Sequence, residues 1–176
     1  FGPNKIASQL EGSKSFLKNL CKQNNIPTAN FEAVDSLKNA EKFIFNNKIP
    51  IVVKADGLAA GKGVSVCNCK QDAMDAIEAI GRDKVFGEAG AEFIVEERLE
   101  GEEVSILAIT DGQTIITLPS AQDHKPAGDG DTGPNTGGMG AYSPTTVVTD
   151  DDIRWVEEHV LEPTVHALKS NGTPFK

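Results

Sequence analysis

Two glycine-rich stretches of this sequence carry the residue types that suit chemistry on a small, polar, anionic molecule. The longer one, residues 123–144, holds acids, amides, hydroxyls, one His and one Lys, with seven glycines and prolines between Gly128 and Gly140. This composition excludes a helix interior and makes a poor strand. Long ordered loops within a domain are usually functional, so we predict a ligand-binding loop. The alternative, a disordered linker, is disfavoured because both flanks carry signals of ordered structure.

The shorter stretch, residues 55–63, looks built for phosphate but departs from the Walker A pattern. Three residues rather than four separate Gly57 from Gly61. Gly63 stands where that pattern has the Ser or Thr that holds magnesium, and a strand follows where a helix should begin. The pattern G-x-G-x-x-G fails as well, because Val66 occupies the position of its last glycine.

What remains is a strand–loop–strand hairpin with Lys54 on the incoming strand and Lys62 at the tip. Glycines let backbone N–H groups approach phosphate oxygens closely, and a lysine adds a point charge. We therefore interpret this hairpin as a flap that closes over a nucleotide. We expect the two glycine-rich stretches to face each other across one cleft. An ordinary glycine-rich hairpin loop remains the alternative.

The overall composition limits the kinds of partner. Of 176 residues, 17 are Lys or Arg and 26 are Asp or Glu, so the formal net charge is −9. A net acidic chain argues against nucleic acid, because phosphate backbones need clustered basic residues. The sequence has no apolar run near the roughly 18 residues that a membrane span needs, so we expect no membrane partner.

Neither the cysteines nor the histidines suggest a metal centre. The three cysteines, Cys21, Cys67 and Cys69, have no disulfide spacing. We interpret them as free thiols, which fit a reducing, cytoplasmic environment. The three histidines form no ligand cluster, and we predict no metal ligands in this chain.

Apolar spacing and turn residues predict the secondary structure that positions these loops. We predict four helices: one over 14–24, one from a cap at Asp35-Ser36 to Asn46, one over 72–80, and one that begins at a capping box at Thr149. The last helix extends beyond Pro163, which should kink or restart it. We predict strands over 49–54, 64–67 and 93–96, and a hairpin in which Asp111-Gly112 joins 103–109 to 113–118.

Several of these stretches together resemble a known family. Residues 52–64 look like the flexible phosphate loop of an ATP-grasp enzyme, and residues 10–14 and 94–103 lie at the expected distances on either side. The run 122–125, followed by 131–144 (DTGPNTGGMGAYSP), is more specific. It closely resembles the phosphoribosylamine–glycine ligases, also called glycinamide ribonucleotide synthetases. The resemblance covers nearly the whole chain.

The resemblance implies a carbon–nitrogen ligase of purine biosynthesis that forms ADP. In that family ATP phosphorylates the carboxylate of glycine to glycyl phosphate. The amine of 5-phosphoribosylamine then displaces phosphate and gives glycinamide ribonucleotide. Phosphoryl transfer depends chiefly on positioning and charge neutralisation, which suits two lysine-bearing, glycine-rich loops.

The resemblance also assigns roles to individual residues. The nucleotide set comprises the phosphate or adenine contacts Lys14 and Lys54, the flap residues Gly57, Gly61, Lys62 and Gly63, the adenine-pocket residues Glu96, Glu97 and Leu99, and the ribose acceptor Glu103. The set for phosphoribosylamine and glycine comprises Asp123, His124, Lys125, Asp131, Thr132, Asn135, Thr136, Gly137, Gly138 and Met139. Within this second set, Lys125, Asp131 and Asn135 are the predicted catalytic residues.

Two departures from the family pattern affect these expectations. Pro126 and Ala127 stand where family members often carry a basic residue, so one phosphate or ribose contact should come from elsewhere. The family's ligands for Mg²⁺ or Mn²⁺, a Glu and an Asn on a late strand, have no counterpart before Lys176. We expect the chain to be the central part of a longer polypeptide, with flanking domains as its partners, and to be inactive in isolation.

The predicted fold class is α+β, an incomplete ATP-grasp fold with two lobes, each combining a mainly antiparallel sheet with helices. We expect a lead-in over 1–16, a nucleotide-flap lobe over 17–99 and the start of a second lobe over 100–176. Two alternatives remain open for the function. One is a non-catalytic nucleotide-binding fragment, and the other is an ATP-grasp carboxylate–amine ligase with a different acceptor.

Overall fold

The computed structural model describes residues 2–34, 36–47, 49–57, 63–81, 92–130 and 132–176. The chain divides into a first unit, Ser8–Glu100, and a second unit, Phe1–Ala7 with Gly101–Lys176. Each unit combines antiparallel strands with helices, so the predicted α+β class is confirmed.

The first unit alternates helices and strands along the chain. Its helices are α1 (Gln9–Gly12), α2 (Lys14–Gln23), α3 (Leu37–Asn46) and α4 (Lys70–Gly81). Its strands are β1 (Phe31–Val34), β2 (Ile51–Ala55), β3 (Val64–Cys67) and β4 (Phe93–Glu97). These elements confirm the predicted helices and strands of this part of the chain to within about two residues at each end, the usual scatter of element boundaries.

The four strands form one antiparallel sheet in the order β1-β4-β2-β3. Successive side chains of a strand point to opposite faces. Ile51 and Val53 of β2 therefore lie on one face, whereas Val52 and Lys54 lie on the other. The two faces differ in character, and this difference determines where a polar ligand can bind.

The face that bears Ile51 and Val53 is the apolar core of the first unit. Helices α3 and α4 pack against it with the residues that their helical spacing predicts. The fully or almost fully buried members of this core are Val34, Ala40, Ile44, Ile51, Val53, Ala55, Cys67, Ala73, Ile77, Ile80, Phe93 and Val95. Burial of aliphatic side chains contributes roughly 1.5–3 kcal/mol each, so this face is what holds the sheet in place.

Side-chain caps begin two of the helices. The hydroxyl of Ser13 accepts a hydrogen bond from the Phe16 amide at 3.1 Å and so caps α2. The predicted capping box at Thr149 is confirmed, because Thr149 and Asp152 each accept from the other's backbone amide. Ser36 occupies the cap position of α3 without a capping hydrogen bond from its side chain.

The second unit contains short strands followed by a long helical segment. Its strands are β5 (Ala108–Thr110), β6 (Ile115–Thr117), β7 (Gln122–Asp123), β8 (Pro126–Gly128), β9 (Thr132–Asn135) and β10 (Ala141–Tyr142). Its helical segment is α5 (Asp150–Val156), a π-helical turn (Glu157–Leu161) and α6 (Glu162–Ser170). Pro163 lies in the first turn of α6, so the predicted restart of the helix at this proline is confirmed.

The predicted hairpin around Asp111-Gly112 is confirmed in topology but is shorter than expected. Strands β5 and β6 pair with Ile109 opposite Ile116, and Gly112 has a φ of +86° that favours glycine. Residues 103–107 do not continue β5, because Ser105 instead forms an isolated bridge with Ala121.

Residues 123–144, which the sequence predicts to be a poor strand, contain only short strands of two to four residues. Strand β7 pairs with β10, and β8 pairs with β9, so the stretch folds back on itself as one irregular hairpin. Glycine and proline weaken a strand. Here the paired segments are short and exposed, and side-chain hydrogen bonds link one pair of strands to the next, so the glycines and prolines are tolerated.

In the part of the chain that the structure describes, no helix combines the length and apolar character that crossing a bilayer demands.

Candidate functional site

The second face of the first unit's sheet, which we call the polar face after its two charged residues, carries Lys54 and Glu96 of the predicted nucleotide set beside the buried Val52 and Ile94. Val52 pairs with Glu96 and Lys54 pairs with Ile94 across β2 and β4, so these four side chains share one face. Helix α2 reaches this face through Lys18. The register of the two strands therefore brings Lys54 and Glu96 together.

Glu96 lies between two lysines at the centre of this face. Glu96 is buried, with 4% of its surface exposed. Lys54 Nζ forms an ion pair with Oε1, and Lys18 Nζ lies 2.6 Å from Oε2. Lys18 Nζ also donates a hydrogen bond to Thr28 Oγ1 at 2.7 Å. Sequence analysis assigned Glu96 to the adenine pocket, and that role stays a prediction.

Lys18 is the residue of this site that sequence analysis missed. It lies four residues after Lys14, and residues four apart share one face of a helix. This spacing, together with the assignment of Lys14 to the nucleotide, was a signal that could have found it. Local sequence patterns do not show that α2 packs against β4, and this packing is what places Lys18 beside Glu96.

Two valines form an apolar surface next to Lys54 on the same face. Val64 pairs with Lys54 and Val66 pairs with Val52 across β2 and β3. Val64 is 44% exposed and Val66 is 49% exposed. An exposed aliphatic surface beside a lysine suits a ligand with a flat apolar ring and an anionic group. Sequence analysis did not single out these valines, because their exposure depends on which face the helices cover.

Hydrogen bonds hold the two ends of the shorter glycine-rich stretch together. The Ala55 amide donates to the Gly63 carbonyl at 2.8 Å. The Asp56 carboxylate accepts from the Ser15 amide, the Ser15 hydroxyl and the Ser13 hydroxyl, each at 2.9 Å. Partial burial would raise the pKa of Asp56, but these hydrogen bonds outweigh it and lower the pKa below its usual value. The start of α2 is thereby fixed to the base of the stretch.

Lys14 lies at the same base. Its Nζ donates to the Gly57 carbonyl at 2.8 Å, and Gly57 has a φ of +77°. Its predicted contact with a phosphate or with adenine stays a prediction. Gly61 and Lys62 lie outside the described residues.

The remaining residues predicted for the adenine pocket follow Glu96 along the chain. The Glu97 carboxylate accepts from the Asn30 amide at 2.9 Å and from Asn30 Nδ2 at 3.1 Å, and these bonds lower its pKa. Leu99 is 69% exposed. Glu97 therefore connects β4 to the segment before β1, and the contact of Leu99 with adenine stays a prediction.

In the second unit, side-chain hydrogen bonds bridge the two ladders of the hairpin. The Lys125 carbonyl accepts from the Thr136 amide at 2.7 Å and from the Thr136 hydroxyl at 2.8 Å. The same hydroxyl accepts from the Gly138 amide at 3.0 Å. Thr136 thus holds the backbone of Lys125 and the glycine pair in one arrangement.

His124 and Met139 lie on opposite sides of the hairpin, next to Lys125 and Gly138. The His124 amide donates to the Gly140 carbonyl at 3.0 Å, and the Met139 amide donates to the His124 carbonyl at 2.7 Å. The His124 ring lies parallel to the Tyr142 ring, with centroids 6.0 Å apart. Met139 is 63% exposed, and the predicted substrate contacts of His124 and Met139 stay predictions.

A cavity of about 240 Å³ lies at the base of this hairpin. It is lined by Glu103, Val104, Ser105, Asp123 and Lys125. Lys125 Nζ lies 3.2 Å from Glu103 Oε2, and both side chains are well exposed. An exposed ion pair contributes only about 0–1 kcal/mol, so a charged ligand can replace either partner. The cavity brings together Glu103, predicted for ribose, and two residues predicted for the substrates.

The rest of the predicted substrate set lies further along the hairpin. Thr132, Asn135 and Gly137 are exposed, and Asn135 pairs with Pro126 across β8 and β9. Their predicted contacts stay predictions. Asp131 lies outside the described residues.

The described residues do not fit a metal centre. Among them, no three His, Cys, Asp or Glu side chains are grouped closely enough to hold a metal ion.

The fold is that of the ATP-grasp class. The family described as phosphoribosylglycinamide synthetase, ATP-grasp (A) domain, matches residues 12–176, and the chain belongs to this family. The phosphoribosylamine–glycine ligase of Rhodopirellula baltica is 56% identical over 182 residues, which span 100% of this chain and 42% of that protein. The chloroplastic enzyme of Arabidopsis thaliana is 51% identical over 175 residues, 99% of this chain and 33% of that protein.

A solved structure agrees with these relatives. The phosphoribosylamine–glycine ligase of Thermotoga maritima has a TM-score of 0.92 at 34% sequence identity, covering 100% of this chain and 44% of that one. The chain thus spans well under half the length of these three proteins.

Replacement of Gly138 should disturb the cavity through Asp123. A Cβ at Gly138 would lie 2.8 Å from Asp123 Oδ1, and the φ of +121° disfavours any residue with a side chain. We expect Gly138→Ala to lower the free energy of unfolding, measured in urea, by about 1–2 kcal/mol. Gly137→Ala is the matched control, because nothing lies within 4 Å of its Cβ position. Equal losses for the two variants would contradict the packing of Gly138 against Asp123.

Proposed function

We propose that this chain binds ATP on the polar face of the first unit's sheet. We propose further that the protein containing it ligates glycine to 5-phosphoribosylamine with ATP, giving glycinamide ribonucleotide, ADP and phosphate. The observation that carries the proposal is the placement of Lys54 beside the exposed valines of β3. Membership of the family and the names of its relatives support the reaction.

The nucleotide half of the proposal rests on the complementarity of this face to ATP. Val64 and Val66 offer an apolar surface for the adenine ring or the ribose. Lys54 keeps 27% of its side chain exposed and offers a positive charge for the phosphates. Leu99 would extend the apolar surface, and Gly57, Gly61 and Gly63 would supply backbone amides from the flap. Lys14, Lys62 and the backbone beside Glu97 keep their predicted roles.

The substrate half rests on the polar cavity of the second unit. Lys125 would bind a phosphate or carboxylate in place of Glu103, and Asp123 would accept hydrogen bonds from an ammonium or hydroxyl group. Asp131 and Asn135 would assist the transfer as catalytic residues. Thr136 would act through the backbone of Lys125, whose carbonyl it holds.

The proposed chemistry has two steps. A carboxylate oxygen of glycine takes the γ-phosphoryl group of ATP, and the bond between the γ-phosphorus and the bridging oxygen breaks to release ADP. The amine of phosphoribosylamine then attacks the carbonyl carbon of glycyl phosphate. The carbon–oxygen bond to phosphate breaks, phosphate leaves, and the nitrogen loses a proton. Positive groups such as Lys125 would stabilise charge during both transfers.

Two further attributes belong to the proposal. We propose Mg²⁺ or Mn²⁺ as the cation that accompanies ATP. We also propose the cytoplasm as the location, supported by the free thiols of Cys21, Cys67 and Cys69. The relative from Arabidopsis thaliana is named as chloroplastic, which is a statement about that protein.

Nucleotide binding can be tested on this chain by isothermal titration with ATP and with adenosine. We expect Lys54→Met to weaken ATP binding about tenfold while adenosine binding stays the same, because only the phosphates use the lysine charge. Lys42→Met, on the exposed side of α3, is the control and should change neither affinity. Equal loss of ATP and adenosine affinity in Lys54→Met would contradict this assignment.

The ligation can be tested by placing this chain in the Rhodopirellula baltica relative, in exchange for the matching segment. We expect phosphate release that depends on both glycine and phosphoribosylamine. We expect Lys125→Met to reduce it by at least about 100-fold, because a charged contact to the reacting groups is lost. Turnover that requires another amine acceptor would assign a different ligase activity. ATP binding without turnover in a folded chimera would favour a non-catalytic nucleotide-binding role.

A further inference from the structure

The three charged groups at the centre of the polar sheet face carry an inference that builds on the proposed ATP site. We propose that Lys18 is a positioning residue for ATP, which acts by neutralising Glu96 so that the charge of Lys54 stays available to the phosphates. Lys18 itself would make no contact with the nucleotide. The inference rests on the proposed function only in taking ATP as the ligand.

The burial of Glu96 creates the need for a second lysine. The Glu96 side chain is 6% exposed, and a buried carboxylate is costly unless it is compensated. Lys18 Nζ lies 2.6 Å from Oε2, whereas Lys54 Nζ pairs with Oε1. Lys18 therefore compensates the side of the carboxylate that Lys54 does not reach.

The balance of charge explains why one lysine would be insufficient. With Lys54 alone, the ion pair with Glu96 would be neutral, and a phosphate would have to compete with a buried carboxylate for the same ammonium group. With Lys18 present, the group of three keeps one positive charge. Glu97 also lies within electrostatic range of Lys18, but its carboxylate is solvent-exposed, so water and salt screen its charge, whereas that of Glu96 is buried. The positive charge faces the ligand through Lys54.

Exposure and contacts separate the roles of the two lysines. The Lys18 side chain is 12% exposed, whereas that of Lys54 is 27% exposed. Lys18 Nζ already contacts Glu96 and Thr28 Oγ1, and it lies 5.6 Å from the centroid of the Phe31 ring. Lys54 lies beside the exposed Val64 instead. The lysine with the more exposed side chain is thus the one that borders the proposed nucleotide surface.

The test measures the ratio of ATP affinity to adenosine affinity, which reports only on the phosphates. We expect Lys18→Met to lower this ratio about tenfold, and Lys18→Arg to keep it within about twofold because the charge is retained. Lys22→Met is the matched control. Lys22 lies on the same helix and 5.7 Å from the same Phe31 ring, but it has no contact with Glu96 among those the structure describes. Its ratio should stay at the wild-type value.

Glu96→Gln and the double variant Glu96→Gln with Lys18→Met distinguish positioning from direct contact. They also provide the test if Lys18→Met alone does not fold. In Glu96→Gln no buried negative charge needs compensation, so adding Lys18→Met should change the ratio by less than about threefold. A tenfold loss in this background would contradict the proposal and make Lys18 a phosphate ligand. An unchanged ratio in folded Lys18→Met would also contradict it. Absence of ATP binding by the wild-type chain would instead refute the proposed function.

Discussion

The site depends on one physical constraint, the burial of the Glu96 carboxylate between Lys18 and Lys54. Removing one partner of a buried ion pair costs several kcal/mol, roughly 3–5 in measured cases, so the three groups are fixed relative to one another. Each comes from a different element: Lys18 from α2, Lys54 from β2 and Glu96 from β4. The same contact that ties the helix to the sheet therefore sets the charge presented to a ligand.

The sheet can hold these three charged residues because its two faces have different surroundings. The face with Ile51 and Val53 is covered by α3 and α4 and supplies the apolar burial that stabilises the first unit. Only the opposite face is left for polar and exposed side chains. Along β2, core residues alternate with Val52 and Lys54, because successive side chains point to opposite faces. One strand can therefore contribute to the core with one set of residues and to the proposed ligand site with the other.

Much of this could be predicted from local sequence, and the limits are physical. Capping at Thr149, the restart at Pro163 and the strand that carries Lys54 depend on neighbouring residues. The pairing of Glu96 with Lys18 depends on strand register and on a helix crossing, which local patterns do not encode. The strands inside 123–144 were missed for a related reason, because side-chain bonds from Thr136 compensate for weak strand propensity. The family resemblance supplied the substrate set, whereas the structure brought Glu103, Asp123 and Lys125 together around one cavity.

Chemical acetylation of lysines, read out by peptide mass spectrometry, tests most directly whether ATP occupies the polar face. Saturating ATP should slow the acetylation of Lys54, and adenosine should not, because only the phosphates cover the ammonium group. Lys38 and Lys42, exposed on α3, should react equally fast in all conditions. If ATP binds by calorimetry and Lys54 still reacts at its unliganded rate, the nucleotide lies elsewhere and the account is wrong.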